Sequence, residues 1–141
     1  MNRLELIDSA PIPGNGGEMK FYRQGDGFSI RVSGSRAGGA GELMNSRLHG
    51  SEDKLAELAC GRIDGRRAAR VLVGGLGMGF TLAAALRHVG PDAEVVVAEL
   101  VPEVVAWARG PLAPLFDGCL DDPRVRIEIG DVGRLIAREK A

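Results

Sequence analysis

Six consecutive residues, Gly74, Gly75, Leu76, Gly77, Met78 and Gly79, hold the densest chemical information in this 141-residue chain. They follow a short apolar run at 71–73 and precede a segment in which Leu82, Ala85, Leu86 and Val89 recur at helical spacing. Glycines at such a junction let the chain turn sharply and bring its backbone against a ligand that a Cβ would hold away. The turn sits at a helix N-terminus, where free N–H groups and the positive end of the dipole favour an electron-rich group, a pyrophosphate or a carboxylate. Two acids stand in comparable places. Glu99 lies near the end of the β-branched run 94–100, about twenty residues beyond the turn, where nucleotide-binding βαβ units hold a ribose diol. Asp131 follows the alternating run 124–129. Each acid also has a local alternative: Glu99 can serve the helix that opens at Pro102, and Asp131 can cap a last helix from Val132 to about Glu139. On these residues alone, a dinucleotide and an adenosyl cofactor fit equally well.

Placing all these groups together requires three parallel strands, at 71–73, 94–100 and 124–129, with the candidates at the carboxyl edge where open α/β sheets bind ligands. The first crossover helix, 81–89, is stopped by Gly90-Pro91; the second begins at Pro102 and carries Val104, Val105 and Trp107 in a packing role. The N-terminal region reads differently. Residues 19–23 and 28–32 form a hairpin through 24–27, where Asp26-Gly27 is a turn signal, and 42–45 adds a third strand. Residues 9–18, with Pro11, Pro13, Gly14, Gly16 and Gly17, read as a loop, and 34–41 as a turn of small residues. Ser51 is the expected N-cap of a helix carrying Leu55, Leu58 and Ala59 on one face. The chain therefore divides into an N-terminal β-hairpin region with a linking helix, 1–61, and a Rossmann-like domain, 62–141, with the boundary near 62–66.

From about Leu43 onward the chain resembles the spermidine synthases and, more broadly, the class I S-adenosylmethionine-dependent methyltransferases. The resemblance is carried by residues 71–79 (Val-Leu-Val-Gly-Gly-Leu-Gly-Met-Gly), 97–104 (Val-Ala-Glu-Leu-Val-Pro-Glu-Val), and 121–125 through Gly130-Asp131. It implies an α/β fold class: a partial Rossmann-like S-adenosylmethionine-binding fold with parallel strands, preceded by a small N-terminal β-region. It also implies a cofactor, S-adenosylmethionine or its decarboxylated form, held by Gly74, Gly75, Leu76, Gly77, Met78, Gly79, Glu99, Leu100, Asp131 and Val132. The glycine turn would lie under the methionine part, Glu99 would bind the ribose hydroxyls, and Asp131 would meet the adenine amino group. Two departures matter. Met78 stands where spermidine synthases carry an Asp that holds the aminopropyl amine, and Leu55-Ala56-Glu57 stands where they carry a Tyr-His-Glu-type cluster. The resemblance so modified implies a relative that uses ordinary S-adenosylmethionine. The family's seven-stranded sheet and its Asp-rich catalytic loop after a fourth strand have no counterpart here, so the chain is read as the first half of a transferase, inactive by itself. The alternative is a non-catalytic binding or assembly module.

The formal charge of -1 and pI near 6.1 give no field that would gather nucleic acid, and Arg66, Arg67, Arg70, Arg124 and Arg126 are too scattered to change that. No apolar run reaches membrane-spanning length and the N-terminus lacks a signal-peptide core, so the expected location is the cytoplasm. Cys60 and Cys119 read as reduced thiols rather than a metal motif, and the expected metal content is none. His88 suits the C-terminal end of its helix, His49 lies in the loop after Arg47 where the resemblance places a substrate-binding loop, and Asp121-Asp122 is turn chemistry before Pro123. The bare outer edge of the first parallel strand makes a homodimer the expected assembly.

Overall fold

The computed structural model describes residues 3–14, 16–34, 41–48, 50–63 and 68–140. The chain divides into two compact units, Met1–His49 and Gly50–Ala141. His49 and parts of the small-residue turn and of the boundary segment near 62–66 lie outside the described residues.

The first unit is an antiparallel sheet in the order β1 (Leu4–Pro11), β2 (Glu18–Gln24), β3 (Gly27–Ser33), β4 (Gly41–Asn45). Gln24 pairs with Gly27 across a tight turn in which Gly25 takes a φ of 62°, the left-handed conformation that glycine accepts without a Cβ clash. Phe21 and Ile30 face each other on adjacent strands, and the Phe21 and Phe28 rings stack at 5.5 Å. On the opposite face Ser29 donates to Glu42 Oε2 at 2.8 Å. β1 corrects the sequence reading, because residues 9–11, expected in a loop, finish a strand paired with β2 as far as Pro11 and Glu18. A register shift between Leu6 and Asp8 breaks the alternation that would have announced the strand.

The second unit is a parallel sheet in the order β5 (Arg70–Gly74), β6 (Glu94–Glu99), β7 (Val125–Ile129), so the mixed α/β architecture is as expected. The connections and final segment supply α2 (Phe80–His88), α3 (Pro102–Arg109), the short α4 (Ala113–Phe116) and α5 (Val132–Lys140). β6 is central and buried on both faces, which is why its sequence, Glu-Val-Val-Val-Ala-Glu, is a continuous apolar run between two acids. Leu135 of α5 packs on Val96 and Ala98. Trp107 is buried, in keeping with its packing role. Among the described residues, β6 is the only strand paired with β5.

α1 (Gly50–Cys60) belongs to the second unit, whereas the sequence reading grouped it with the first. Two further expectations for this helix are corrected. Ser51 lies inside the first turn, its hydroxyl donating to Glu52 at 3.2 Å, so it is not the N-cap. Leu55 and Leu58 are 61% and 64% exposed; the face that packs is Ala56 and Cys60, set against Ala84 and Ala85 of α2. Small residues on both helices allow close approach, and hydrophobic size alone does not announce such a face.

Arg124 ties the helical layer to the third strand. Its guanidinium donates to both carboxylate oxygens of Asp122, from Nε at 3.0 Å and from Nη2 at 2.8 Å. From Nη1 it donates to the carbonyls of Leu86 at 3.1 Å and Val89 at 3.0 Å. The Asp122–Arg124 turn is therefore a clamp on the end of α2. The beginning of the same turn is stabilised by the Arg124 N–H donating to Asp122. Among the described residues, no helix is long and apolar enough to cross a membrane.

Candidate functional site

The carboxyl ends of β5, β6 and β7 bring the glycine turn, Glu99 and Asp131 to one edge of the parallel sheet. β5 runs into the turn at Gly74, and the Gly75 N–H donates to the Ala98 carbonyl at 2.8 Å, which keeps the turn in line with β6. Gly75, Gly77 and Gly79 have φ values of 108°, 53° and 85°, so three left-handed residues in five reverse the chain before α2 begins. The Gly79 N–H closes the turn on the Leu76 carbonyl at 2.9 Å, and the Gly79 carbonyl accepts the Ala83 N–H, already a helical bond.

Glu99 is the anchor of this arrangement. It is 6% exposed, and its two carboxylate oxygens are held by different loops: Oε1 accepts the Leu76 N–H at 2.8 Å, and Oε2 accepts the Val101 N–H at 3.0 Å. Its own carbonyl accepts the Gly130 N–H at 2.8 Å. One residue thus joins the turn after β5, the entry to α3 and the turn after β7. An ionised carboxylate has about four acceptor positions. Two are taken, and the others remain for hydroxyl donors.

The other predicted residues separate into those with side chains at the surface of this edge and those that offer only backbone. Leu100 and Val132 are each 37% exposed; Leu100 directly follows β6, and Val132 opens α5 after the Gly130-Asp131 turn that ends β7. Val132 also approaches Gly74, where an added Cβ would meet its Cγ2 at 3.5 Å. Leu76 and Met78 are buried at 3% and 2%. The Met78 thioether is a core group, so at this position the turn offers its backbone at the edge. Asp131 is exposed and caps α5: its Oδ1 accepts the Arg134 N–H at 3.2 Å, and its carbonyl accepts the Leu135 N–H. A groove of about 280 Å³ beside it is bounded by Ala98, Gly130 and Leu135.

Phe116 of α4 was not singled out by the sequence. Its buried ring lies where a methyl group on Gly79 would fall, so it braces the turn from behind. Only the fold brings these residues together, and no local signal in the sequence points to the pair. Among the remaining candidates, Leu55 and Glu57 are exposed on α1 while Ala56 is buried against α2. Burial raises the thiol pKa of Cys60 and of Cys119, the latter further through Asp117 and Asp122, which leaves both as poor nucleophiles. Among the described residues, no group of three or more His, Cys, Asp or Glu is placed to hold a metal ion.

The sequence matches no family model and no curated protein. Solved structures do match. The spermidine synthase of Thermotoga maritima superimposes with a TM-score of 0.64 at 20% identity, over 94% of this chain and 43% of that one. A spermidine synthase in complex with the transition state analogue AdoDATO gives 0.66 at 20% identity, over the same shares. The chain thus spans less than half the length of the structures it matches. At this identity the likeness is one of architecture: the chain has the fold of the matched part of spermidine synthase, the antiparallel sheet followed by the parallel strands that carry the glycine turn.

Proposed function

We propose that this chain binds an adenosyl-sulfonium cofactor, S-adenosylmethionine or its decarboxylated form, at the carboxyl edge of the parallel sheet, as the cofactor-binding part of a transferase. The observation that carries the reading is the Glu99 carboxylate, buried at that edge and fixed by the Leu76 and Val101 N–H groups. A carboxylate held in this way keeps acceptor positions for a vicinal diol and does not have to be oriented when the ligand arrives. In this reading Glu99 takes the ribose hydroxyls, Leu100 and Val132 flank the adenine ring, Asp131 meets its amino group, and the Gly74–Gly79 turn lies beneath the sulfonium chain. Methyl or aminopropyl transfer then asks the protein chiefly to align the nucleophile with the sulfonium carbon and to exclude water. A solved structure of the same fold is in complex with the analogue AdoDATO, which supports the choice of ligand class.

Calorimetry and thermal shift with S-adenosylmethionine, decarboxylated S-adenosylmethionine, methylthioadenosine and NAD test the proposal. A ligand that binds only the folded state must raise the melting temperature by mass action. The adenosyl-sulfonium compounds should stabilise the protein and NAD should not; stabilisation by NAD alone, or by none of the four, overturns the reading. A second reading, a binding module without chemistry of its own, is favoured by one feature. Both acids at the edge are engaged with backbone N–H groups, an arrangement suited to holding a ligand rather than to moving protons. Product analysis with decarboxylated S-adenosylmethionine and putrescine tests this second reading: spermidine would overturn it, and we expect none from the 141-residue chain.

A further inference from the structure

One stretch of chain holds α2 at both ends. At its start Gly79 is the N-cap, with a φ of 85° and no side chain to bond the first turn, and the Cε1, Cδ1 and Cζ atoms of the buried Phe116 ring crowd the place that a Cβ would take. At its end the Arg124 guanidinium donates to the Leu86 and Val89 carbonyls at 3.1 and 3.0 Å. The chain between Phe116 and Arg124 thus runs the length of the nine-residue helix, about 13 Å. It is tied to itself along the way. The Asp117 N–H donates to the Ala113 carbonyl at 3.3 Å, Asp117 and Gly118 take left-handed φ values of 45° and 82°, and the Asp121 and Asp122 N–H groups donate to the Gly118 and Cys119 carbonyls.

Such end stops matter because the side of α2 that meets α1 resists sliding weakly: Ala84 and Ala85 lie against Ala56 and Cys60, and small residues make shallow ridges. A shift of the helix along its axis passes straight into the turn, since Gly79 joins the two through backbone alone. The Gly79 N–H closes on the Leu76 carbonyl at 2.9 Å, and the Leu76 N–H is the donor that holds Glu99 Oε1 at 2.8 Å. An unbroken line of contacts therefore runs from the Phe116 ring through Gly79 and Leu76 to the Glu99 carboxylate.

We infer that residues 116–124 are a strut that sets α2 along its axis, and that Phe116 is a positioning residue for the ligand edge, its ring holding Gly79 where the Leu76 N–H reaches Glu99. The consequence for binding rests on the reading of that edge as an adenosyl-cofactor site; the strut itself does not. Phe116 acts through Gly79 and touches no ligand. A smaller side chain at 116 leaves space behind Gly79, and the turn gains arrangements in which the Leu76 N–H has left the carboxylate. A ligand that needs Glu99 held in place must then select the competent arrangement from among them, and its apparent affinity falls by the fraction that remains competent.

Amide hydrogen exchange of the ligand-free chain, well below the melting temperature of each variant, tests the strut. In Phe116→Leu, or in Phe116→Met should that variant fail to fold, exchange at Leu76 should quicken about tenfold relative to the amides of β6. Arg124→Ala removes the other stop without touching the turn and should raise the same ratio. Val95→Ala, a buried truncation at the end of β6 away from the ligand edge, should leave it unchanged. Calorimetry with S-adenosylmethionine tests the positioning role: Phe116→Leu should bind about tenfold more weakly at unchanged stoichiometry, and Val95→Ala within about twofold of wild type. An unchanged ratio in Phe116→Leu or Arg124→Ala, or an equal rise in Val95→Ala, overturns the strut. Unchanged affinity in a Phe116→Leu protein whose Leu76 amide has been released overturns the positioning role. If the wild type binds no adenosyl ligand, the cofactor reading falls, while the exchange ratios still decide the strut.

Discussion

Replacing Glu99 by Gln tests the site at its anchor, in the absence of any ligand. The carboxylate accepts two backbone N–H groups, Leu76 at 2.8 Å and Val101 at 3.0 Å, at a residue only 6% exposed. A glutamine has the same shape but presents one oxygen and one NH2, so whichever way it turns, one buried N–H faces another donor. A hydrogen bond to a charged group contributes roughly 1.5–3 kcal/mol, and a buried donor left unmatched costs about 1–3 kcal/mol. The two figures overlap, because losing the bond is what strands the donor, so the net expectation is about 3 kcal/mol. For a chain of this size each kcal/mol moves the melting temperature by roughly 4 °C, which puts the Glu99→Gln midpoint about 12 °C below wild type. Differential scanning calorimetry of the ligand-free proteins is the assay. A midpoint within about 2 °C of wild type would refute the reasoning, because it would mean that the carboxylate does not hold the turn in solution.

The turn's other support predicts that Gly79→Ala, at φ 85° and against the Phe116 ring, loses at least about 1 kcal/mol from the backbone alone, with a further loss to overlap, measured by urea denaturation. The clamp predicts an acid dependence. Asp122 is held at a pKa of about 2, against 3.8 in the unfolded chain, first by the side-chain hydrogen bonds from Arg124 and then by the Arg124 backbone N–H. Its stabilisation is full above about pH 4 and disappears as pH falls through about 2; with both side chains about one-fifth exposed, it amounts to about 1–2 kcal/mol, and Asp122→Asn should remove that part of the acid transition. On α1, Leu55→Ser should change stability by no more than about 0.5 kcal/mol, while Ala56→Leu should cost about 1–3 kcal/mol by overfilling the contact with α2, both read from thermal melts.

The parallel sheet was legible because its strands are short apolar runs ended by glycines and acids, features that survive without knowledge of the partners. β5, β6 and β7 lie within one or two residues of their expected positions, and the hairpin of β2 and β3 is found where Gln24 to Gly27 marks the turn. β1 escaped because its pairing slips at Leu6 and Asp8, which destroys a period-two signal within eight residues. α1 was found but turned to the wrong face, since its largest apolar residues lie outside and the contact is made by Ala56 and Cys60. The burial of Leu76 and Met78 is not legible for a related reason: a glycine-rich sequence does not reveal which of its few side chains turns inward. The position of Glu99 was readable from spacing, but its two N–H partners come from separate loops and belong to the folded chain alone.

The Arg124 clamp also bears on the order in which the second unit is assembled. The carbonyls of Leu86 and Val89 are satisfied by a side chain 38 and 35 positions further along the chain. Until β7 has docked, the last turn of α2 lacks those partners and frays. A folding intermediate holding only β5, α2 and β6 would therefore show a helix ordered at Phe80 and loose at His88. That difference is visible in pulse-labelling hydrogen exchange, with protection at the end of α2 appearing together with protection of β7.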